Sequence, residues 1–302
     1  MAQQRSYTGG NFRLDIGGVE VGYCRKVSGG GMKADIAENK LGPNNVIKKH
    51  VAKIQWEEVK AELGIGMGKA CYDWMKAAFD KKFLTQQATL VAGDFNHQAT
   101  QEMQYNDCLM TSIGIPKWDG ADKSPAFFTI GFRPETVRHV PGDGKDIRAK
   151  IGPAQKAFLC SNFRLELDPL PCTRVTSIDA MELKCSVVED AVGITRESTI
   201  HPAAVTVPDL KVTWSYADFT EIEKHAKKWF VDGEHLEGNE MHGRIVLLDP
   251  NMKDEIGEIT LKQVGWKEFK SDDREGGSDK ILRCTGTFYV EEMEFHIKRY
   301  DA

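Results

Sequence analysis

Asn11-Phe12-Arg13-Leu14-Asp15-Ile16 returns 151 residues later as Asn162-Phe163-Arg164-Leu165-Glu166-Leu167. In the first copy Phe12, Leu14 and Ile16 alternate with Arg13 and Asp15, the period of two that marks a half-buried strand. One short repeat decides nothing, because a chain of this length offers on the order of 10⁴ to 10⁵ chances for accidental matching. Further landmarks in register do decide. Ile54-Gln55-Trp56 answers Val212-Thr213-Trp214 at a spacing of 158, and Trp74 answers Trp229 at 155. Leu90-Val91-Ala92-Gly93-Asp94 answers Ile245-Val246-Leu247-Leu248-Asp249 at 155, and Phe132 with Glu135 answers Phe288 with Glu291 at 156. One unit written twice is the expectation, with a first domain over residues 1–145, a linker over 146–160 and a second domain over 161–302.

A length of 302 residues exceeds one average domain, and two units of about 150 are each large enough for a core. Hydrophobic residues at 41% and charged residues at 28% fit a globular protein, and no run approaches the roughly 20 apolar residues of a membrane helix. The first ten residues lack the apolar centre of a secretory signal, so folding in a cytoplasm is expected. The seven cysteines are scattered without a Cys-x-x-Cys pair, which argues against a zinc or redox motif and for buried free thiols, with cross-chain disulfides as the alternative in an extracellular particle. The net charge of -5 divides unevenly. Residues 1–150 carry 21 Lys+Arg against 17 Asp+Glu, and residues 151–302 carry 19 against 28, giving +4 and -9. Opposite signs favour unlike copies side by side, over a screening distance of about 8 Å. Neither half is a dedicated nucleic-acid binder.

In chain order, Gly17-Gly18 turns the first strand into a second, Val19 to Tyr23, which ends at Ser28-Gly29-Gly30-Gly31. Met32 to His50 is polar and interrupted, a long loop or extended hairpin arm, and Glu189 to Val207 corresponds to it; loops of this length are usually functional. A strand over Val51 to Leu63 changes phase at Glu57-Glu58, which predicts a β-bulge. Cys71, Trp74, Met75, Ala78 and Phe79 recur at helical steps and predict a helix over Lys69 to Phe83, followed by strands at Ala88 to Ala92, Glu102 to Ile115 and Pro125 to Val140. The second copy repeats this with strands at Phe163 to Leu167, Val175 to Val188 and Leu210 to Ala217, a helix over Asp218 to Val231 that Asp218 could cap, and strands at Gly243 to Asp249, Ile256 to Phe269 and Ile281 to Ile297. The fold class expected is mainly β, two tandem antiparallel sandwich or barrel domains with one flanking helix each.

Residues for chemistry do not converge. No histidine pair has metalloprotease spacing, and His235 and His242 with Glu237 and Glu240 read as a solvated turn. Gly64-Ile-Gly-Met-Gly68 with Lys69 lacks phosphate-loop spacing, and Ala70 stands where a magnesium-binding hydroxyl should be. The acidic stretch Ser271 to Asp279 lacks the alternating ligands of a calcium loop. No nucleophile elbow is present. No catalytic residue, metal or cofactor is therefore expected, and Trp56, Trp74, Trp214 and Trp229 are expected to anchor two similar cores.

The opening Asn11 to Ile16, the strand end Val27-Ser28-Gly29-Gly30 and the helical Tyr72-Asp73-Trp74-Met75, in the order strand, strand, long loop, Trp strand, helix, strands, resemble the tail tube proteins of contractile-tailed bacteriophages and related injection systems. The likeness spans most of both copies. The second copy departs from it, with no glycine run after Val187-Val188 and Lys227-Lys228-Trp229-Phe230 in the helix. The resemblance implies a β-sandwich or barrel unit, rings of six units, and stacking into a hollow tube for DNA or effectors, with the long loop bridging rings. Carried over, the stacking loops hold Lys33, Asp35, Glu38, Lys40, Lys48 and Lys49 in the first copy and Glu189, Asp190, Arg196 and Glu197 in the second, and the strands near Phe12 and Phe163 help form the inner wall. A two-unit chain would close such a ring as a homotrimer. The implied partners are further copies of the chain and sheath, baseplate and terminator proteins, with DNA passing unbound and no membrane contact. The implied location is a virion tail, assembled in the bacterial cytoplasm. A baseplate hub or tube initiator with two such units is one alternative, and a duplicated β-barrel that binds a ligand or catalyses a reaction is another.

Overall fold

The computed structural model of the chain describes residues 11–40, 46–148, 158–191, 193–194, 197–274, 279 and 281–301. The first half runs β1 (Asn11–Ile16), β2 (Val19–Tyr23), β3 (Lys26–Ser28), β4 (Met32–Lys40), β5 (Ile47–Trp56), β6 (Val59–Leu63), α1 (Lys69–Phe79), β7 (Gln86–Gly93), β8 (Ala99–Ile115), β9 (Trp118–Asp119), β10 (Phe128–Arg133) and β11 (Thr136–Pro141). The second runs β12 (Phe163–Asp168), β13 (Val175–Ile178), β14 (Met181–Asp190), β15 (Thr199–Thr206), β16 (Leu210–Ser215), α2 (Phe219–Phe230), β17 (Met241–Leu248), β18 (Glu255–Ser271), β19 (Arg283–Ile297) and the short α3 (Lys298–Asp301). The protein is mainly β, with every pairing between these strands antiparallel and one principal helix per half.

Two sheets hold the strands in matching order. In one, β1-β7-β8-β10-β6-β3 follows an edge strand β2; in the other, β12-β17-β18-β19-β16-β13 repeats that order and ends in an edge strand β9. The registers match as well. Leu14 faces Leu90 as Leu165 faces Ile245, and Leu90 faces Met103 as Ile245 faces Ile259. The shift in β10 between Gly131 and Phe132, opposite Ser112 and Met110, recurs in β18–β19, where Thr287 faces Glu268 and Phe288 faces Trp266. Even the strained backbone recurs: Asp107 and Gln263 both take positive φ, 51° and 52°. A one-residue slip would send each buried face to solvent, so agreement of register is a stronger statement than agreement of residue type.

These registers correct two of the landmarks. Phe132 faces Val59, and Phe288 faces Leu210, so Val59, Ala61 and Leu63 correspond to Leu210, Val212 and Trp214. Trp56 instead closes β5, opposite Met32, and is half-buried, while Trp214 is enclosed in the second core against Phe288 at 6.0 Å. The helices likewise align through Cys71, Met75 and Ala78 with Ile222, Ala226 and Trp229, all buried. Trp74 therefore corresponds to His225, not to Trp229, although Trp74 and Trp229 are both buried. A single spacing of 151 residues thus holds from β1 through the helix; most of the extra residues of the second half enter between α2 and β17, where the spacing becomes 155, and one more enters before β18, where it becomes 156.

The expected bulge at Glu57-Glu58 is a break between strands. Gly29 and Gly30 have φ of +89° and +76°, and a Cβ on Gly29 would lie 1.8 Å from the Glu58 carbonyl oxygen. Only glycine allows that crossing, and there β4 and β5 leave the sheet as a separate hairpin. At the second helix, Asp218 occupies the N-cap position without capping; its Oδ1 accepts from Arg174 Nη1 at 2.8 Å.

The sheets do not follow the division at 146–160. β14 joins the first sheet through β8, and β9 joins the second through β13. One contiguous cluster of buried side chains runs from Leu14 to Ile297 through both halves. Most of the expected linker lies outside the described residues, but its flanks are tied down: Ile147 and Phe158 are buried, and Ala126 N donates to Phe158 O at 2.7 Å. The seven cysteines are free, six of them buried, and burial pushes the Cys24 thiol up to about 12.

Candidate assembly surface

The polar stretches that break the sheet pattern are paired hairpins. In the first arm Met32 faces Trp56, Glu38 faces Lys49 and Lys40 faces Ile47, with a shift between Asp35 and Ile36. In the second, Lys184 faces Thr206 and Glu189 faces Ile200, with a shift between Cys185 and Val187. The arms superpose in register at the same 151 spacing, so Met32 corresponds to Leu183, Lys33 to Lys184 and Glu38 to Glu189.

What differs is their seating. The base of the second arm is a strand of the first sheet, with Met181, Glu182, Leu183 and Lys184 opposite Ile115, Gly114, Ile113 and Ser112 of β8. That edge of β8 is free for it because β7 ends opposite Cys108. Among the described residues the first arm's strands pair with each other and, beyond that, make one parallel bridge, between Ile54 and Glu197. Its Met32, Ile36, Ile47 and Val51 are exposed.

Lys33, Asp35, Glu38, Lys40, Lys48 and Lys49 lie along the exposed first arm, where Glu38 pairs with Lys49 at 2.7 Å and Gln55 Nε2 donates to Asp35 at 3.4 Å. On the second arm Asp190 is exposed and Glu197 meets Ile54, while Arg196 lies outside the described residues. Glu189 faces inward. It accepts from Lys53 Nζ and Arg133 Nη2, and these two cations hold its carboxyl below the usual range. Beside it Glu135 Oε1 accepts from Ile200 N at 2.9 Å. A shallow polar pocket between the arms and β10 is lined by Ile54, Trp56, Arg133, Glu135, Glu189 and Ile200.

A second seam joins the halves on the helix side. Tyr72, Phe79 and Phe128 pack their rings on Phe295 of β19 at 5.7, 5.7 and 5.3 Å, and Tyr72 Oη lies 3.3 Å from both Phe295 O and Ile297 N. Tyr300 of α3 stacks on Tyr72 at 5.3 Å and donates to Met67 O at 2.6 Å. The glycine stretch before α1 is thus a packing turn, in which Gly68 N donates to Val21 O at 2.8 Å.

Among the described residues no group of three or more His, Cys, Asp or Glu could hold a metal ion, and no helix is long and apolar enough to cross a membrane. His235 Nδ1 lies 3.3 Å from Trp229 O and His242 Nδ1 lies 3.5 Å from Gln263 N, each in separate local contacts. The interlocking of β14 with β8 and of β9 with β13 had no expectation from sequence. A signal for the aligned arms was present: Lys33, Glu38 and His50 repeat as Lys184, Glu189 and His201 at the spacing of the opening motif.

No family model matches the sequence, and no curated protein matches it. Among solved structures, the sheath–tube complex of an extracellular contractile injection system, PVC, in the extended state is similar over 46% of this chain and 95% of its own, with 17% identity and a TM-score of 0.41. The tube-terminating cap of the anti-feeding prophage is similar over 47% and 95%, at 18% identity and 0.42. The anti-feeding prophage baseplate gives 44% and 89%, at 12% identity and 0.34. At these scores the likeness is a partial course of the backbone and does not bear on what this chain does.

Proposed function

We propose that the protein is a structural component of a contractile injection machine, and that its chains build the hollow inner tube of a tail. Residues 1–145 and 161–302 are the two units, tandem copies of one ring-building element, and three chains close a ring of threefold and approximate sixfold symmetry. The observation that carries this reading is the heterologous seating of one half on the other: the second arm and β19 attach to β8 and α1, surfaces unlike themselves. A head-to-tail contact between like units closes a ring when its rotation divides the circle. The strands near Phe12 and Phe163 help form the inner wall, and the outer parts of the arms, with Lys40, Lys48 and Asp190, bridge stacked rings. DNA passes through the lumen without specific contacts; sheath, baseplate and terminator proteins meet the outside and ends, and the particle is assembled in the host cytoplasm.

Electron microscopy of the purified chain at rising concentration tests this reading. Hollow tubes of threefold rings are expected. Persistent single rings would replace the tube by a baseplate hub or initiator, and isolated globules would overturn both.

A further inference from the structure

The chain carries one copy of an interface filled and a second copy empty. In the first half, β7 leaves the edge of β8 after Cys108, and the base of β14 occupies that edge at residues 112–115. In the second half, β17 leaves β18 after Val264, the counterpart of Cys108. Among the described residues, no strand pairs with β18 on that side from Gly265 to Ser271. An open strand edge is a template for another strand.

We infer that the first arm of one chain pairs with this edge of a second copy, with Met32 opposite Phe269 and Lys33 opposite Glu268. The register follows from the filled interface, where Leu183 faces Ile113 and Lys184 faces Ser112. Exposure marks the same surfaces. Leu183 is 1% exposed under its docked arm, and its counterpart Met32 is 73% exposed. On the helix side, Phe79 is 4% exposed beneath β19, and its counterpart Phe230 on α2 is 49% exposed. The strand that would cover Phe230 is β11, the counterpart of the outer part of β19, and there His139 is exposed where Phe295 is buried.

Charge matches too. Lys33 meets Glu268 directly across the strands, and Lys49, the counterpart of Ile200, comes beside Glu291, the counterpart of Glu135 that accepts from Ile200 N. Like units in sequence around a ring would each give an arm to the unit before and receive one from the unit after, leaving no β18 edge unpaired. The partner is a second copy of this chain in any closed ring; stacking into tubes is not required.

The test uses the full chain with Lys33→Cys and Glu268→Cys together. Antiparallel partners lie about 4.5–5.5 Å apart at Cα, within the roughly 4.4–6.8 Å that a disulfide spans. Mild oxidation should give reducible bands at two and three times the 33.8 kDa chain on a non-reducing gel, where the parent chain, with its native cysteines mostly buried, gives none. Glu38→Cys with Glu268→Cys, displaced along the strand by roughly 16 Å, should give none. Met32→Asp should weaken self-association at least tenfold without altering the fold of the isolated chain. Cross-linking of the displaced pair in preference to the aligned one, oligomers indifferent to Met32→Asp, or a chain monomeric at all concentrations would each overturn the inference. Tubes without the aligned cross-link would refute the inference and leave the tube reading standing; cross-linked rings that never stack would do the reverse.

Discussion

Leu183 and Met32 occupy one position of one hairpin, so the same truncation at both separates the docking of an arm from its folding. Leu183→Ala removes a fully buried side chain facing Ile113 of β8. Such truncations cost about 2–5 kcal/mol, depending on how far the surroundings close the cavity. A site bounded by a sheet on one side and a hairpin on the other can relax in part, so about 3 kcal/mol is expected, roughly a 150-fold change in the folded-to-unfolded ratio. Met32→Ala removes a side chain standing largely in solvent and should change the stability of the dilute chain by less than about 0.5 kcal/mol. Guanidinium unfolding of both variants under dilute, unassembled conditions, followed by tryptophan fluorescence, measures the contrast. Amide hydrogen exchange adds location: in Leu183→Ala the amides of β14 opposite β8 should exchange faster while those of β12 do not. A loss below about 1 kcal/mol in Leu183→Ala, or equal losses at the two positions, would mean that the second arm is not a strand of the first sheet, and the inferred register for the first arm would fall with it.

Three further outcomes follow from the geometry. Gly29→Ala should cost about 3–5 kcal/mol, because left-handed backbone strain and a collision with Glu58 O fall on one residue, whereas Gly144→Ala, with φ of +70° and open space around it, should cost only about 1–2 kcal/mol; thermal unfolding of the pair checks the difference. Tyr72→Phe should lower stability by about 1 kcal/mol through loss of the hydroxyl at Phe295 O and Ile297 N, and denaturant titration would read it. His225, which accepts from Trp266 Nε1 at 2.9 Å, is held below the ordinary histidine range by burial and then by Lys228. Its folded value lies below its unfolded one, so its contribution is full above about pH 6.5 and is lost as the pH falls through the folded value. Between pH 7 and 5 the parent chain should therefore lose more stability than His225→Gln, and equal losses would refute the assignment.

The strands and helices were legible because their faces are bound to a core: Leu14, Ile16, Leu165 and Leu167 alternate since one side of β1 and of β12 is buried. Tryptophan was a poor guide to alignment for the same physical reason. A core fixes total volume and patterning more firmly than the place of each bulky group, so Trp214 stands where the first half has Leu63, and Trp229 where it has Ala78. Trp56, the nearest tryptophan to hand, belongs to an arm. Sequence left the first arm open between a long loop and an extended hairpin because that exposed hairpin has no buried face to impose a period, as the outward Met32, Ile36 and Val51 show. The pairing of the second arm with β8 was invisible because alternation reports which side of a strand is covered and says nothing of which strand lies along its edge.

The charge difference between the halves acquires a location from the contacts. Glu189 accepts from Lys53 and Arg133, Lys60 lies 3.6 Å from Glu182, and Lys81 lies 3.4 Å from Glu292. In each, the cation belongs to the first half and the carboxylate to the second. The solvated pairs of Lys60 with Glu182 and of Lys81 with Glu292 contribute about 0–1 kcal/mol apiece, little beside the apolar seam of Phe79, Phe128 and Phe295. Their sign is the informative part. The inferred contacts of Lys33 with Glu268 and Lys49 with Glu291 again set a first-half cation against a second-half carboxylate. A first half seated on another first half would put Lys33 opposite Ser112 and lose that pair while keeping Lys49 beside Glu135, and a second half on a second half would keep Lys184 opposite Glu268 but set Ile200, in place of Lys49, beside Glu291. Alternation is the seating that makes both pairs and sets the +4 half beside the -9 half, so the charges favour it by a small margin while the apolar seams supply the cohesion.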